Sequence, residues 1–264
     1  MSLDKKKKIK RIILILALLL VVSLVAAFVG FKIYTSNYYA ADEKEIEEVR
    51  DLVGDKAISF TDETGTVFIP SGQDTRAVII FYPGGKVEFS AYSSLMYELA
   101  AKGYVCVIPK MPDNLAFLGV DVIDDIRRKY AEEMTIVGDV DWYLAGHSLG
   151  GVAAGRYLAE NAGNANGGFK GLILCASYPA DDLSGTNLRM LSIRGSNDGV
   201  LKADKYEESR GFWPSNSTEK VIDGGIHSYF GSYGIQAGDG TPTISNQEQI
   251  EITASLIDEW ISGN

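Results

Sequence analysis

Six consecutive residues constrain this chain more than any others: Gly146-His147-Ser148-Leu149-Gly150-Gly151. They follow an apolar run over 140–145 and precede a small-residue stretch over 152–159 that reads as a helix. A G-x-S-x-G pattern set between a strand and a helix is a sharp turn that leaves its serine exposed. Side chains two before and two after the serine would run into neighbouring backbone, so Gly146 and Gly150 are glycines. The start of the following helix turns N–H groups toward the serine oxygen, which favours developing negative charge there.

The remainder of the body alternates strand and helix. Short strands are expected over 57–60 and 67–70, around the turn Asp62-Glu63-Thr64-Gly65, and longer ones over 77–82, 104–109, 141–145, 171–177 and 189–194. A last strand is expected over 219–222. Helices are expected over 90–102, 120–134 and 202–209, and Ile250, Ala254, Ile257, Trp260 and Ile261 form one face of a terminal helix. Strands that are unbroken apolar runs, separated by helices, imply an α/β fold. Its central sheet is mostly parallel, with helices on both faces and right-handed crossovers.

The amino terminus is of another kind. Lys5, Lys6, Lys7, Lys8, Lys10 and Arg11 precede twenty uncharged residues, 12–31. As a helix this run spans ~30 Å, one bilayer core. It exceeds the ~7–15 residues of a signal-peptide core, which favours an uncleaved anchor, although Val25-Ala26-Ala27 resembles a cleavage site and leaves secretion as the alternative. A basic tail (1–11) stays cytoplasmic, which puts the body outside the membrane. The expected organisation is tail 1–11, transmembrane helix 12–31, polar linker or stalk 32–56 that is partly helical over 32–48, and catalytic domain 57–264.

A serine nucleophile needs a base, and the base needs an orienting acid. The chain has two histidines. His147 belongs to the turn itself and is directed elsewhere, which leaves His227, just after the last strand, as the base. The acid belongs between Ser148 and His227, after a strand. Asp198, in Gly195-Ser196-Asn197-Asp198-Gly199, fits; Asp181 and Asp182 are alternates, and Asp223 lies only four residues from His227. One oxyanion donor is the N–H of Leu149. The second comes from Pro83-Gly84-Gly85-Lys86, with Gly85 preferred and Lys86 the alternate.

Net charge excludes one class of partner. The chain carries −10 overall, yet residues 1–32 hold seven Lys/Arg and one Asp, so the remainder carries −16. An acidic body argues against nucleic acid. Cys106 and Cys175 lie inside apolar runs and read as buried strand residues. No cofactor or metal is expected: the chain has no metal-ligand cluster, and Gly84-Gly85 lacks the Gly-Lys-Ser/Thr of a phosphate loop. Oligomeric state is left open.

Ser148, Asp198 and His227 in this order, with the Pro83-Gly84-Gly85 loop, resemble the α/β-hydrolase superfamily over about 57–262. Within it the chain is similar to a small group of uncharacterised bacterial α/β hydrolases. The stretches that carry this are Phe81-Tyr82-Pro83-Gly84-Gly85-Lys86-Val87-Glu88, Met111-Pro112-Asp113-Asn114-Leu115-Ala116-Phe117, Ala176-Ser177-Tyr178-Pro179-Ala180-Asp181-Asp182-Leu183, Gly195-Ser196-Asn197-Asp198-Gly199 and Phe230-Gly231-Ser232-Tyr233-Gly234-Ile235-Gln236. Tyr82-Pro83 stands where many lipases and esterases have His-Gly. The resemblance implies hydrolase chemistry, not a substrate. With the triad it reads as a serine hydrolase acting on a small-molecule ester, thioester or amide, esterase first because that makes the fewest demands on the leaving group. An acyltransferase and a non-catalytic binding module are the alternatives. Many relatives insert a lid after the strand matching 171–177; here 178–187 is too short for one. The roof then comes from 111–119, 178–187 and 229–240, with Leu115, Phe117, Tyr178, Tyr229 and Tyr233 as candidate lining.

Overall fold

The computed structural model describes residues 3–130 and 140–263. The chain divides into two units, 1–38 and 39–264. The first is one continuous helix, α1 (Leu3–Ser36). Its 34 residues extend ~50 Å, more than the ~30 Å of a bilayer core. Its Leu14, Leu16, Leu20 and Phe28 side chains are exposed. It is long and apolar enough to cross a membrane, a property that signal sequences share.

The second unit is built on an eight-stranded sheet: β1 (Ala57–Thr61), β2 (Gly65–Pro70), β3 (Ala77–Tyr82), β4 (Tyr104–Pro109), β5 (Asp141–His147), β6 (Gly171–Cys175), β7 (Arg189–Gly195) and β8 (Asn216–Ile222). Their spatial order is β1-β2-β4-β3-β5-β6-β7-β8. The β1–β2 and β2–β4 pairs are antiparallel, and every pair from β4 through β8 is parallel. The apolar runs of β3, β4 and β6 are buried at every residue, as strands covered on both faces must be.

Helices cover the two faces: α2 (Glu43–Val53), α3 (Ser93–Ala101), α4 (Val122–Lys129), α5 (Leu149–Glu160), α6 (Ala203–Ser209) and α7 (Asn246–Ser262). Alternation along β3 sorts the core. Ala77, Ile79 and Phe81 pack with residues of α2, α3 and α7, whereas Val78, Ile80 and Tyr82 pack with residues of α4 and α5. Ile250, Ala254, Ile257 and Trp260 of α7 are buried as their spacing requires. That helix opens on a capping box of Ser245 and Glu248 and closes on Gly263 in the left-handed region. The expected helix over 120–134 is α4; its residues past 130 lie outside the described residues.

Three boundaries differ from expectation. The stretch read as a stalk, 32–56, is largely part of the folded unit. α2 buries Ile46, Val49 and Val53 in the core, and Tyr39 bridges in parallel to Val87. Its apolar positions are spaced at three and four among charges, so the helix is amphipathic rather than polar all round. β6 ends at Cys175, not 177, because Ala176 turns into the left-handed region at φ 47°. β8 begins at Asn216, three residues before the apolar signal, since an edge strand has polar, partly solvated side chains.

Candidate active site

Four loops meet at the carboxyl edge of the parallel strands, the edge where open α/β sheets bind their ligands. They follow β3, β5, β7 and β8, and they carry Gly85, Ser148, Asp198 and His227 respectively.

Ser148 stands between β5 and α5 at φ 51°, ψ −123°, a strained conformation for a residue with a side chain. Its surroundings fix that conformation. The Ser148 N–H donates to Cys175 O at 3.0 Å, and Ser148 O accepts from Ser177 Oγ at 2.6 Å. The left-handed turn at Ala176 is what brings Ser177 back over the elbow. A Cβ on Gly146 would lie 2.6 Å from Gly150 C and Gly151 N, and one on Gly150 would strike the carbonyl oxygens of Tyr82 and Pro83. The elbow glycines are therefore steric requirements of the observed packing.

His227 and Asp198 are joined. Their Nδ1 and Oδ2 atoms lie 2.9 Å apart, with the two side chains 2% and 4% exposed, so this bond is shielded from water. Asp198 Oδ1 accepts from the N–H groups of Val200 and Leu201, each at 2.8 Å. His227 Nε2 is buried and makes no hydrogen bond among the described residues, including none to Ser148 Oγ. The alternates are elsewhere: Asp182 accepts from Ser184 N, Asp223 from Ser196 Oγ, and neither they nor Asp181 bonds to His227.

The oxyanion candidates separate by what their N–H groups already do. Lys86 N–H donates to Asn114 O at 2.8 Å, which removes the alternate donor. Gly84 N–H donates to the Tyr92 hydroxyl. The N–H groups of Gly85 and Leu149 donate to no acceptor among the described residues. The two residues touch: a Cβ on Gly85 would lie 2.7 Å from Leu149 Cδ2. Leu149 also opens α5, whose N-terminal dipole adds positive potential at the same point.

Two groups escaped the sequence reading. Asp239 Oδ1 accepts from the N–H groups of His227, Gly199 and Gly240, and its Oδ2 accepts from Ser228 N and Oγ. One carboxylate thus ties the loop bearing Asp198 to the loop bearing His227. Burial acts to raise this carboxyl, but the hydrogen bonds from Ser228, Gly199 and Gly240 outweigh it and hold it below its ordinary value. His147 is the other group: its Nδ1 meets the Tyr92 hydroxyl at 2.8 Å, and its Nε2 meets His227 O at 3.0 Å. Burial, then the neighbouring His227, keep its basicity well below that of an ordinary histidine. No motif marks either role: Asp239 lies in a Gly-Asp-Gly turn, and Tyr92 reads as helix packing.

Of the roof residues, Tyr233 is buried against the Tyr39, Tyr92 and His147 rings and is core rather than lining. Leu115, Phe117, Tyr178 and Tyr229 remain at least partly exposed. The loop 111–119 is fastened to the loop after β3 by the Lys86–Asn114 bond. Among the described residues no three His, Cys, Asp or Glu side chains converge as metal ligands.

No curated protein matches the chain. A family model does match, over residues 78–251, a span that holds the elbow, the Asp198 loop and the His227 loop. On that match and this architecture, the chain belongs to the alpha/beta hydrolase family.

Proposed function

We propose that the chain is a serine hydrolase of the carboxylesterase kind, cleaving an ester, thioester or amide through an acyl-enzyme on Ser148. The observation that carries this reading is the buried His227–Asp198 bond, with His227 Nε2 left without a partner, in a chain whose only strained elbow serine is Ser148 among the described residues.

His227 Nε2 takes the Ser148 proton as Oγ attacks the acyl carbon. Asp198 holds the Nδ1–H tautomer and stabilises the imidazolium that forms. The N–H groups of Leu149 and Gly85 receive the developing oxyanion. His227 then gives its proton to the leaving group as the acyl–heteroatom bond breaks. In the second half a water attacks the acyl-enzyme, His227 accepts its proton, and Ser148 regains one as the acid departs. Closing the gap between Oγ and Nε2 is left to substrate binding, since catalytic hydrogen bonds often tighten only in the complex.

The same reading anchors the protein by α1, with the Lys/Arg cluster of residues 5–11 on the cytoplasmic side and the hydrolase unit outside. Protease applied to intact cells then digests the unit. Complete protection until lysis rejects that orientation, and a mature chain starting near Phe28 replaces the anchor by a cleaved signal.

The test of the chemistry is a tagged fluorophosphonate applied to the full-length protein in detergent, with the adduct mapped by mass spectrometry. Labelling at Ser148 that is lost in Ser148→Ala and His227→Ala supports the triad. Folded protein that stays unlabelled across several probes rejects it. Labelling without turnover of short p-nitrophenyl esters moves the reading to acyl transfer or a narrow substrate.

A further inference from the structure

The second histidine lies in a chain of hydrogen bonds whose protons can all be placed. Gly84 N–H is 2.9 Å from the Tyr92 hydroxyl, that hydroxyl is 2.8 Å from His147 Nδ1, and His147 Nε2 is 3.0 Å from the carbonyl oxygen of His227. A backbone N–H only donates and a carbonyl only accepts. The Tyr92 oxygen therefore accepts from Gly84, and His147 Nε2 carries the proton that reaches His227 O. A neutral imidazole has one N–H, so Nδ1 is a bare lone pair and takes the Tyr92 O–H. For a neutral imidazole no other assignment satisfies all three contacts.

The site is built for this arrangement. Tyr92 and His147 are 0% and 1% exposed, so water does not compete for the bonds. Burial pushes the Tyr92 phenol up, which keeps its O–H in place as a donor. A Cβ on Gly84 would sit 2.7 Å from both His147 Nδ1 and the Tyr92 hydroxyl, so this position is glycine to admit the chain. The His147 ring is enclosed by the rings of His227, at 4.6 Å between centroids, Phe230 and Tyr233.

The two ends of the chain are what give it meaning. One end is the residue before Gly85, whose N–H is a proposed oxyanion donor. The other is the backbone of His227, the proposed base. We propose that Tyr92 and His147 are positioning residues, a proton-ordered strut that sets the separation between the oxyanion loop and the catalytic base. The proposal rests on the serine hydrolase reading above. The strut contacts neither substrate nor Ser148 Oγ; it acts through Gly84 and His227. Its loss lets both loops drift, which weakens the transition state more than ground-state binding.

The experiment uses the full-length protein in detergent micelles. With only two histidines in the chain, selective ¹⁵N-histidine labelling gives a spectrum of two ring systems. One, assigned to His147 by its absence from His147→Gln, should show a protonated Nε2 and a bare Nδ1. In parallel, the fluorophosphonate labelling rate at Ser148, and kcat and KM on a p-nitrophenyl ester, are measured for wild type, Tyr92→Phe, His147→Gln and the double variant. His147→Gln keeps an N–H near the Nε2 position and gives up the Nδ1 acceptor. Each single variant should lower labelling rate and kcat by about 10- to 100-fold, the scale of a small misplacement of reacting groups. KM should stay within about twofold, as expected for an interaction felt in the transition state. The double variant should be no slower than the slower single, because both substitutions break one chain. Folded single variants that label at the wild-type rate overturn the proposal, as does a His147 ring protonated at Nδ1. Should Tyr92→Phe not fold, His147→Gln and the wild-type spectrum decide alone. Wild type that shows the expected tautomer but no labelling at Ser148 overturns the hydrolase reading, and the catalytic role of the strut with it.

Discussion

His227 Nδ1 lies 2.9 Å from one oxygen of Asp198, and the other oxygen of that carboxylate accepts two backbone N–H groups, from Val200 and Leu201. The aspartate is thereby held by its own turn, and only Oδ2 is left for the imidazole. It presents a fixed acceptor to a histidine that is itself fixed by Asp239 at its N–H and by His147 at its carbonyl oxygen.

This arrangement predicts the effect of Asp198→Asn. The two loop N–H groups would hold the amide oxygen at the Oδ1 position, so the NH2 group would face His227 Nδ1. A donor there selects the imidazole tautomer with its proton on Nε2, which cannot accept from Ser148. We expect kcat to fall about 10³- to 10⁴-fold, on the scale known for such a tautomer switch in other serine enzymes. The measurement is esterase kinetics beside thermal unfolding. A loss of less than tenfold in folded protein would remove Asp198 from the triad.

Asp239 predicts a second, mixed effect. Its carboxylate accepts from both the His227 loop and the Asp198 loop, at His227 N and Gly199 N. Asp239→Ala leaves buried N–H groups without acceptors, which costs about 3 kcal/mol for a charged acceptor in this setting. Denaturant unfolding should show a lower midpoint with an unchanged slope. The labelling rate at Ser148 should fall as well, since both loops lose a shared anchor. Stability within about 0.5 kcal/mol of wild type, the range of ordinary surface substitutions, would contradict the role assigned to Asp239.

The strand–turn–helix at Ser148 and the strand order of the partners were legible because steric exclusion and topology write themselves into residue type. Only glycine fits at Gly146 and Gly150, and unbroken apolar runs mark buried parallel strands. What the sequence hid is what depends on contacts between distant residues. The sequence prefers Gly85 but leaves Lys86 open as the alternate; what separates them in the fold is that Asn114, in another loop, takes the Lys86 N–H. Asp239 reads as a turn residue until the fold brings Gly199 and His227 to it. His147 stands in the elbow motif as its variable residue, and its link to Tyr92 spans 55 positions and leaves no local pattern. The docking of α2 was hidden by its charge: seven of its eleven residues are charged, and three buried apolar residues, Ile46, Val49 and Val53, suffice to dock it.

The burial of His147 sets a pH dependence of stability. In the folded protein this histidine is held well below its ordinary value, by burial first and by His227 second. In the unfolded chain it titrates near 6.5. Below that pH the unfolded state therefore binds more protons, so stability present above about pH 6.5 is lost as pH falls. Between pH 7.5 and 5.5 one such group removes at most about 1.4 kcal/mol. Carboxylates held low, such as Asp239, add their own loss only at lower pH, below about 4. Urea unfolding of residues 39–264 at the two pH values should show the loss in wild type and a smaller loss, by up to that amount, in His147→Gln. Equal losses in both proteins would show that His147 titrates in the folded state.

The segment between the helix α1 and the sheet predicts where a functional fragment can begin. α2 buries Ile46, Val49 and Val53 against the core that includes α3. Residues just before it bind the loops after β3 and β8 directly. Tyr39 N–H donates to Lys86 O, and Glu88 N–H donates to Tyr39 O, on either side of Val87. Ala41 N–H donates to Glu88 Oε2 at 3.0 Å, and Asp42 N–H donates to Ser232 O at 2.8 Å. Burial of an apolar side chain contributes ~1.5–3 kcal/mol, so these three alone supply ~5–9 kcal/mol. That is an upper figure, because unfolded chains already bury some apolar surface, yet it rivals the ~5–15 kcal/mol by which whole domains are stable. A fragment of residues 39–264 should fold and react with fluorophosphonate at Ser148. One of residues 57–264 should unfold at much lower denaturant or fail to fold, and it should not be labelled, because the loop after β3, proposed to carry the oxyanion donor, has lost its bonds to Tyr39. Matching thermal midpoints and labelling rates for the two fragments would show that 39–56 is a dispensable linker after all.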